Sequence, residues 1–275
     1  MPRELTLNSY TQFRLKQSVL AVSLSLMALA TISNVEANTL QFSGTLLQTS
    51  PGNTNFDTWK FKIQALGTFT VDVAAYEASQ SNVAAAGYAT HDINGDGELT
   101  WLDADTQWYK NDGHLDSPSD AIVRCDDTAN NCPRYPGTTQ LNQSAVVPGP
   151  IAISTHLQSE TSVDGSVHVR RDPWYDITFS QTGDFLFLMA AYTLNYAEAN
   201  SGINTTDFSP PTGFVGGVLD HADYNVTLSS DTLNFSRIGS TITVSQVPVP
   251  GAVWMFLTGM MGVLAIGKKK NGFAL

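Results

Sequence analysis

Apolar and polar residues alternate with a period of two in several short stretches of the chain. Between Thr58 and Ile63, apolar side chains at 59, 61 and 63 alternate with lysines at 60 and 62. This period is typical of a β-strand with one buried face. Related patterns at Leu40–Gln48, Gly67–Tyr76 and Tyr224–Leu228 predict further strands, and Asp231–Val244 predicts either the final strands or a stalk. The chain therefore reads as a mainly β protein.

One of these stretches recurs in the second half of the chain. Gly67–Tyr76 reads G-T-F-T-V-D-V-A-A-Y, and Gly183–Tyr192 reads G-D-F-L-F-L-M-A-A-Y. Each copy follows a strand-like run, Phe61–Leu66 or Ile177–Thr182. Two related hairpins far apart in the chain predict two halves of one antiparallel β-sandwich, because a solenoid would need more copies. Chance similarity over so short a segment is the alternative.

The N-terminal segment, residues 1–37, has the pattern of a secretory signal helix. Basic Arg14 and Lys16 precede the uncharged apolar run Ser18–Ile32, and small residues lie just before Asn38. This order predicts a signal peptide that is cleaved before Asn38. An uncleaved membrane anchor is the alternative.

The C-terminal segment, residues 247–270, predicts a transmembrane helix. Val247–Gly267 carries no charge and is just long enough to span a bilayer, and Lys268–Lys270 follows it directly. The lysines favour a cytoplasmic C-terminus with the body, residues 38–246, on the other side. The sequence thus predicts an exported domain between two membrane-directed segments.

The body is strongly acidic. The whole chain has 14 Lys+Arg and 25 Asp+Glu, and residues 38–246 alone have 8 against 23. Nucleic-acid phosphates and anionic lipid surfaces require a basic face, so this balance argues against both as partners. It is compatible with an extracellular setting and with calcium.

The segment Asp92–Asp103, D-I-N-G-D-G-E-L-T-W-L-D, has the spacing of a calcium-binding loop. Its predicted Ca²⁺ ligands occupy loop positions 1, 3, 5, 7 and 12, with a backbone carbonyl at position 7 and a glycine, Gly97, at the sharp turn. An Asp/Asn/Gly-rich turn that binds no ion is the alternative. The five predicted ligands are Asp92, Asn94, Asp96, Glu98 (carbonyl) and Asp103.

The surroundings of this loop suggest half of an EF-hand. Trp101–Tyr109 has apolar residues at helical spacing and predicts a short helix that leaves the loop, while no helical pattern precedes it. Asp220, His221 and Asp223 are either a second ion site or turn residues before the strand Tyr224–Leu228.

Cys125 and Cys132 are the only two cysteines of the chain. Behind a signal peptide they are expected to form a disulfide, because exported proteins meet an oxidising environment. Their spacing is not that of a zinc or C-x-x-C redox site.

Catalytic motifs are missing from the sequence. There is no G-x-S-x-G, H-E-x-x-H or P-loop, and the five histidines are scattered. We therefore expect a non-catalytic, calcium-binding exported surface or extracellular-matrix protein. The alternative is a carbohydrate-binding module or polysaccharide-active hydrolase with exposed Trp and Tyr as sugar platforms.

Three stretches resemble known families. At the C-terminus, Val247, Pro248, Val249 and Pro250 are followed by an apolar run with spaced glycines and then by lysines. This order resembles the PEP-CTERM/VPLPA-type sorting tail. This resemblance implies an exosortase-type processing enzyme as a partner, as found in Gram-negative bacteria that make exopolysaccharide. The exopolysaccharide is a further candidate partner. The calcium loop, which ends in Asp rather than Glu, resembles those of dockerins.

The strand-like segments between residues 40 and 230 resemble the bacterial pre-peptidase C-terminal type of β-sandwich. The segments that carry this resemblance are D-T-W-K-F-K-I at 57–63, Y-D-I-T-F-S-Q-T-G-D-F at 175–185 and A-D-Y-N-V-T-L at 222–228. The resemblance implies a jelly-roll-like antiparallel sandwich, into which the calcium loop and its helix are inserted.

Overall fold

The computed structural model describes residues 38–78, 90–111, 121–126, 151–155, 171–212, 217–247 and 258–261. The chain divides into two units. The larger unit, Ala37–Val247, contains every strand described below. The other combines Met1–Glu36 with Pro248–Leu275, of which only a helical turn at 258–261 is described.

The predicted signal peptide and most of the predicted tail lie outside the described residues. This includes three residues of the sorting motif, Pro248, Val249 and Pro250. Within the described ranges, no helix has both the length and the apolar character needed to cross a bilayer.

The described part of the larger unit is mainly β, with two six-stranded sheets. In chain order, the strands are β1 (Asn38–Ser50), β2 (Asn53–Thr54), β3 (Asp57–Ile63), β4 (Gly67–Ala74), β5 (Ala104–Lys110), β6 (Ala121–Cys125), β7 (Ile151–Thr155), β8 (Trp174–Phe179), β9 (Gly183–Ala191), β10 (His221–Ser230), β11 (Leu233–Ile238) and β12 (Thr241–Gln246).

The first sheet has the order β2-β1-β10-β4-β8-β7, and the second has the order β11-β12-β3-β9-β5-β6. All neighbours are antiparallel except β12 and β3, which are parallel. The tight turn between β11 and β12 at Gly239, with φ 60°, sends β12 back in the direction of β3. The prediction of an antiparallel sandwich is thus correct for every pair but this one.

The two sheets share one apolar core, as expected for a β-sandwich. β3 follows the predicted alternation, since Trp59, Phe61 and Ile63 are buried and both lysines of the strand are exposed. In strand β4, Phe69 and Val71 are buried and Thr68 is exposed, but the alternation stops at Asp72, which is buried as well. Burial of such side chains is worth about 1.5–3 kcal/mol each and supplies the main favourable term for folding.

Two tryptophan–tyrosine hydrogen bonds cross the core from one sheet to the other. The Trp59 Nε1–H of β3 donates to the Tyr224 hydroxyl of β10 at 2.9 Å. The Trp108 Nε1–H of β5 donates to the Tyr175 hydroxyl of β8 at 2.9 Å. Each bond gives a buried indole N–H its hydrogen-bond partner, and so holds the two sheets in one position relative to each other.

The recurring segments do not form two hairpins, and this prediction was wrong. β3 and β4 lie in different sheets, as do β8 and β9. The pairing is instead between the copies: β3 pairs with β9, with Ile63 opposite Gly183, and β4 pairs with β8, with Gly67 opposite Phe179. Adjacent strands joined by a short connection can therefore cross between layers, which a period-two pattern cannot distinguish from a hairpin.

The predicted helix at Trp101–Tyr109 is also wrong, because β5 occupies this segment. Leu102, Ala104 and Trp108 enter the shared core, whereas Asp105 and Tyr109 point to the opposite face. The apolar residues fit both a helical and a strand period, and pairing with β9 along the whole of β5 decides for the strand.

A layer formed by the segment after β9 covers the outer face of the second sheet. The helix α1 (Tyr196–Ser201) begins with a capping box between Asn195 and Glu198 and ends at Gly202, with φ 78°. Leu194 and Ala199 pack on this face of β5 and β9. Strand β9 is consequently buried on both faces, which explains its uninterrupted apolar run.

A buried polar network lies under this layer. One carboxylate oxygen of Asp105, a fully buried residue, accepts from Arg124 Nε at 2.8 Å and from the Leu194 backbone N–H at 2.9 Å. Gln107 donates to the Leu194 carbonyl, and Arg124 also reaches Asp126 at 3.3 Å. The network holds the covering segment to the second sheet.

Candidate functional site

The predicted calcium loop is joined to the sandwich at both of its ends. A β-bridge pairs Ala78 with Thr90, and another pairs Tyr76 with Trp101. The Leu99 carbonyl, at loop position 8, accepts from the Val218 N–H at 3.1 Å. The loop therefore lies next to the segment that enters β10, at one end of the first sheet.

The first turn of the loop is organised by its own acidic and amide side chains. Asp92 accepts from the backbone N–H of Gly95 at 2.5 Å and of Gly97 at 2.8 Å. Asn94 accepts from the Asp96 N–H at 3.0 Å. Gly95 and Gly97 have φ of 75° and 88°, a region that side chains disfavour, so the turn depends on glycine at both positions.

Asp92 is ionised in this setting. The N–H of Gly97, with smaller contributions from Gly95 and other loop amides, lowers the pKa of its carboxyl below the ordinary value, despite some desolvation. The turn thus favours a half-buried carboxylate in the charged form that a cation requires.

The structure brings three of the five predicted ligands together. Asp92, Asn94 and Asp96 share the first turn, where the Asn94 amide also donates to Asp96 at 2.8 Å. The carboxylate of Glu98, whose carbonyl is the predicted ligand, lies 3.5 Å from His221 Nε2. The Asp103 carboxylate lies apart from them in an ion pair with Arg171.

Strand β10 adds polar groups that the loop pattern alone does not reveal. Asp223, mostly buried, accepts from the Asn94 amide at 3.0 Å and from the Thr45 hydroxyl at 2.5 Å. Its backbone N–H donates to the Thr100 hydroxyl at 3.1 Å. Asp223 was predicted as part of a separate ion site or turn, and the structure places it against the calcium loop.

His221 lies in the same acidic neighbourhood. Its Nδ1 is 2.8 Å from the Asp220 carboxylate and its Nε2 is 3.9 Å from Asp223. Partial burial opposes the imidazolium, but the hydrogen bond to Asp220 and the charges of Asp223 and Glu98 outweigh it and raise the pKa of His221. The acidic groups around His221 therefore favour its imidazolium form.

The donor chemistry of the first turn fits Ca²⁺. Asp92, Asn94 and Asp96 offer carboxylate and amide oxygens, the hard ligands that Ca²⁺ prefers. Within the described ranges, no three acidic, histidine or cysteine side chains already converge as metal ligands. Since Ca²⁺ takes six to eight oxygens, backbone carbonyls and water would have to complete the shell.

Cys125 ends β6 in a fully buried position and is disulfide-bonded. Cys132, the other cysteine of the chain, lies outside the described residues. The Cys125–Cys132 pairing therefore stays a prediction.

We expect peptide mass spectrometry of the exported, non-reduced protein to recover Cys125 and Cys132 in one cross-linked pair. A loop of this length contributes about 2–3 kcal/mol in the chain-entropy model, so reduction should lower the melting temperature. Free thiols at both positions would contradict the prediction. A C125S/C132S double variant, which should not respond to reductant, is the control.

Comparison with known proteins assigns no identity. No protein-family model matches the chain, and no curated protein matches it significantly.

Proposed function

We propose that this protein is a non-catalytic, calcium-binding surface or extracellular-matrix protein, exported and sorted through its C-terminal tail. The observation that carries the proposal is the turn Asp92–Gly97. There, two aspartates and one asparagine occupy the first ligand positions of a calcium loop around two glycines of positive φ.

Two further features support calcium rather than an ion-free turn. The Asp92 carboxylate is held in its ionised form by loop amides. The Asp223 carboxylate adds negative charge where it contacts Asn94 of the loop. The Glu98 carboxylate, which belongs to the loop, adds negative charge beside His221. A surface of this charge attracts divalent cations over several ångströms at physiological salt.

Thermal unfolding with and without calcium tests this part of the proposal. A ligand that binds only the native state stabilises it by about 2.7 kcal/mol at 100 times its Kd, so the melting temperature should rise in calcium and fall in chelator. An identical melting temperature in both buffers would count against calcium binding. Magnesium at the same concentration is the control for ionic strength.

The export and sorting part of the proposal rests on the two ends of the sequence. A basic, then apolar N-terminus and the run Val247–Gly267 before Lys268–Lys270 favour a signal peptide and a transient membrane segment. The sorting-tail resemblance suggests cleavage near Pro248 and Pro250 by an exosortase-type enzyme.

Intact mass of the cell-surface protein from its native host tests this sorting. We expect a mass without residues 1–37 and without Lys268–Lys270. Mature protein that retains the three lysines in a strain with a working exosortase would leave only a plain membrane anchor. A strain without the exosortase is the control and should retain the tail.

The finer fold assignment, a jelly-roll-like sandwich of the pre-peptidase C-terminal type, is part of the proposal. Two six-stranded sheets with a shared core support it. The parallel pair of β12 and β3 is a departure from a purely antiparallel jelly roll.

The carbohydrate-binding alternative has less support. Four of the five tryptophans, Trp59, Trp101, Trp108 and Trp174, are described, and all four are buried. None of these four can serve as a flat platform for a sugar ring without rearrangement. A glycan array with the exported protein is the direct test, and a specific saturable glycan signal would favour this alternative.

A further inference from the structure

We infer that Glu77 is a positioning residue for the candidate calcium loop: its buried side chain clamps the two sides of the loop and holds the ligand turn ready for the ion. This inference rests on the proposed calcium binding. Glu77 lies outside the loop, three residues beyond the end of β4, and no loop pattern in the sequence includes it.

The contacts of Glu77 are made with both sides of the loop. One carboxylate oxygen, Oε1, accepts from the backbone N–H of Ile93 at 2.8 Å. The other, Oε2, accepts from the N–H of Thr100. The backbone of Glu77 repeats this arrangement, because its N–H donates to the Thr100 carbonyl at 3.3 Å and its carbonyl accepts from His91 at 3.2 Å.

The position of these bonds gives them a specific effect on the ligand turn. Ile93 directly follows the first ligand, Asp92, and Thr100 follows the predicted carbonyl ligand by two residues. Fixing both N–H groups on one carboxylate fixes the distance between the entry and the exit of the turn. Glu77 is only 1% exposed, so water cannot easily replace these bonds.

The described segment that follows the loop differs from that of an EF-hand. The segment after the loop is strand β5 rather than a helix. A turn that is ordered before the ion arrives spends less binding free energy on its own ordering. The Glu77 side chain orders the two sides of the loop, a role that flanking helices have in an EF-hand.

The test compares calcium affinity in the full-length protein and a Glu77→Gln variant, which keeps the shape of the side chain but lacks one of the two acceptors. We expect the calcium Kd to rise at least tenfold. A purely structural role would lower the melting temperature equally in calcium and in chelator and would leave the Kd unchanged. The matched charge control is Asp207→Asn, an exposed carboxylate bonded to Gln48 and Gly52. This control should change the Kd less than twofold.

Amide hydrogen exchange of the wild type in chelator provides a second test that needs no variant. We expect the N–H groups of Ile93 and Thr100 to be protected before calcium is added, and unprotected amides at both positions would overturn the inference. A calcium Kd that is equal in wild type and Glu77→Gln would overturn it as well, while leaving the proposed function intact. Wild-type protein that takes up no calcium would overturn the proposed function itself, and the positioning role with it.

Discussion

Replacing Arg124 with methionine is expected to lower the free energy of unfolding by about 3–5 kcal/mol at neutral pH. Arg124 is the charged partner of Asp105, which is fully buried, and it also reaches Asp126. Without Arg124, Asp105 either stays as an uncompensated buried carboxylate or has to bind a proton at neutral pH, and both cost more than the net contribution of the intact pair. Urea denaturation at pH 7.5 measures the loss.

The same variant should be partly rescued at low pH. Burial raises the pKa of Asp105 to about 7, although Arg124 and the Leu194 N–H lower it. A carboxyl whose pKa is higher in the folded than in the unfolded protein stabilises the folded state most at a pH below the unfolded-state pKa. This stabilisation is lost as the pH rises through the folded-state pKa. Without Arg124 the carboxyl binds its proton more firmly, so the loss should be smaller at pH 5 than at pH 7.5.

The matched control for this prediction is Arg237→Met. Arg237 is an exposed arginine that lies over the Trp59 ring at 4.6 Å. The Arg237→Met substitution should lower the free energy of unfolding by less than about 1 kcal/mol, as for exposed cation–π contacts, and by the same amount at pH 5 and pH 7.5. A loss at Arg124 that is equally small, or equal at both pH values, would contradict the role given to the buried pair.

The second large effect is expected at Trp108, and substitution by alanine should cost about 3–5 kcal/mol. The side chain is fully buried. Its ring centroid lies 4.7 Å from that of Phe61, 5.0 Å from Phe187 and 5.6 Å from Phe179. Alanine would leave a cavity between the two sheets and would also remove the indole N–H that donates to the Tyr175 hydroxyl, which would keep its contact with Thr106.

A Trp108→Phe variant separates the two contributions. It retains an aromatic ring but removes the indole N–H that donates to Tyr175. We expect a loss of about 1–3 kcal/mol, smaller than for alanine. Thermal and urea unfolding measure both variants, and a loss below about 1 kcal/mol for Trp108→Ala would show that this residue is not central to the core.

Alternation of apolar and polar residues reveals a strand in the sequence where only one of its faces is buried. In β3, lysines mark the exposed side, so alternation is visible. In β5 both faces are buried, one by the core and one by the segment at Leu194, and polar Asp105 and Gln107 lie on a buried face. A hydropathy pattern cannot show this, since the second covering layer comes from a distant part of the chain.

The candidate site was predictable only where its residues are contiguous. The spacing of Asp92, Asn94 and Asp96 is local, and the structure keeps them in one turn. Glu77 reaches the loop from the segment that follows β4, and Asp223 reaches it from β10, through contacts that a linear pattern does not contain. Asp103 fits the pattern but meets Arg171, a partner that is far away in the sequence.

Titration calorimetry with Ca²⁺ on residues 38–247, the larger unit Ala37–Val247 without its first residue, measures directly whether this part of the chain binds calcium. We expect saturable heat with one ion per chain in the wild type, no detectable heat in Asp92→Ala, and unchanged heat in Asp184→Ala, an exposed control on β9. The absence of heat in the wild type, or equal heat in Asp92→Ala, would contradict this expectation.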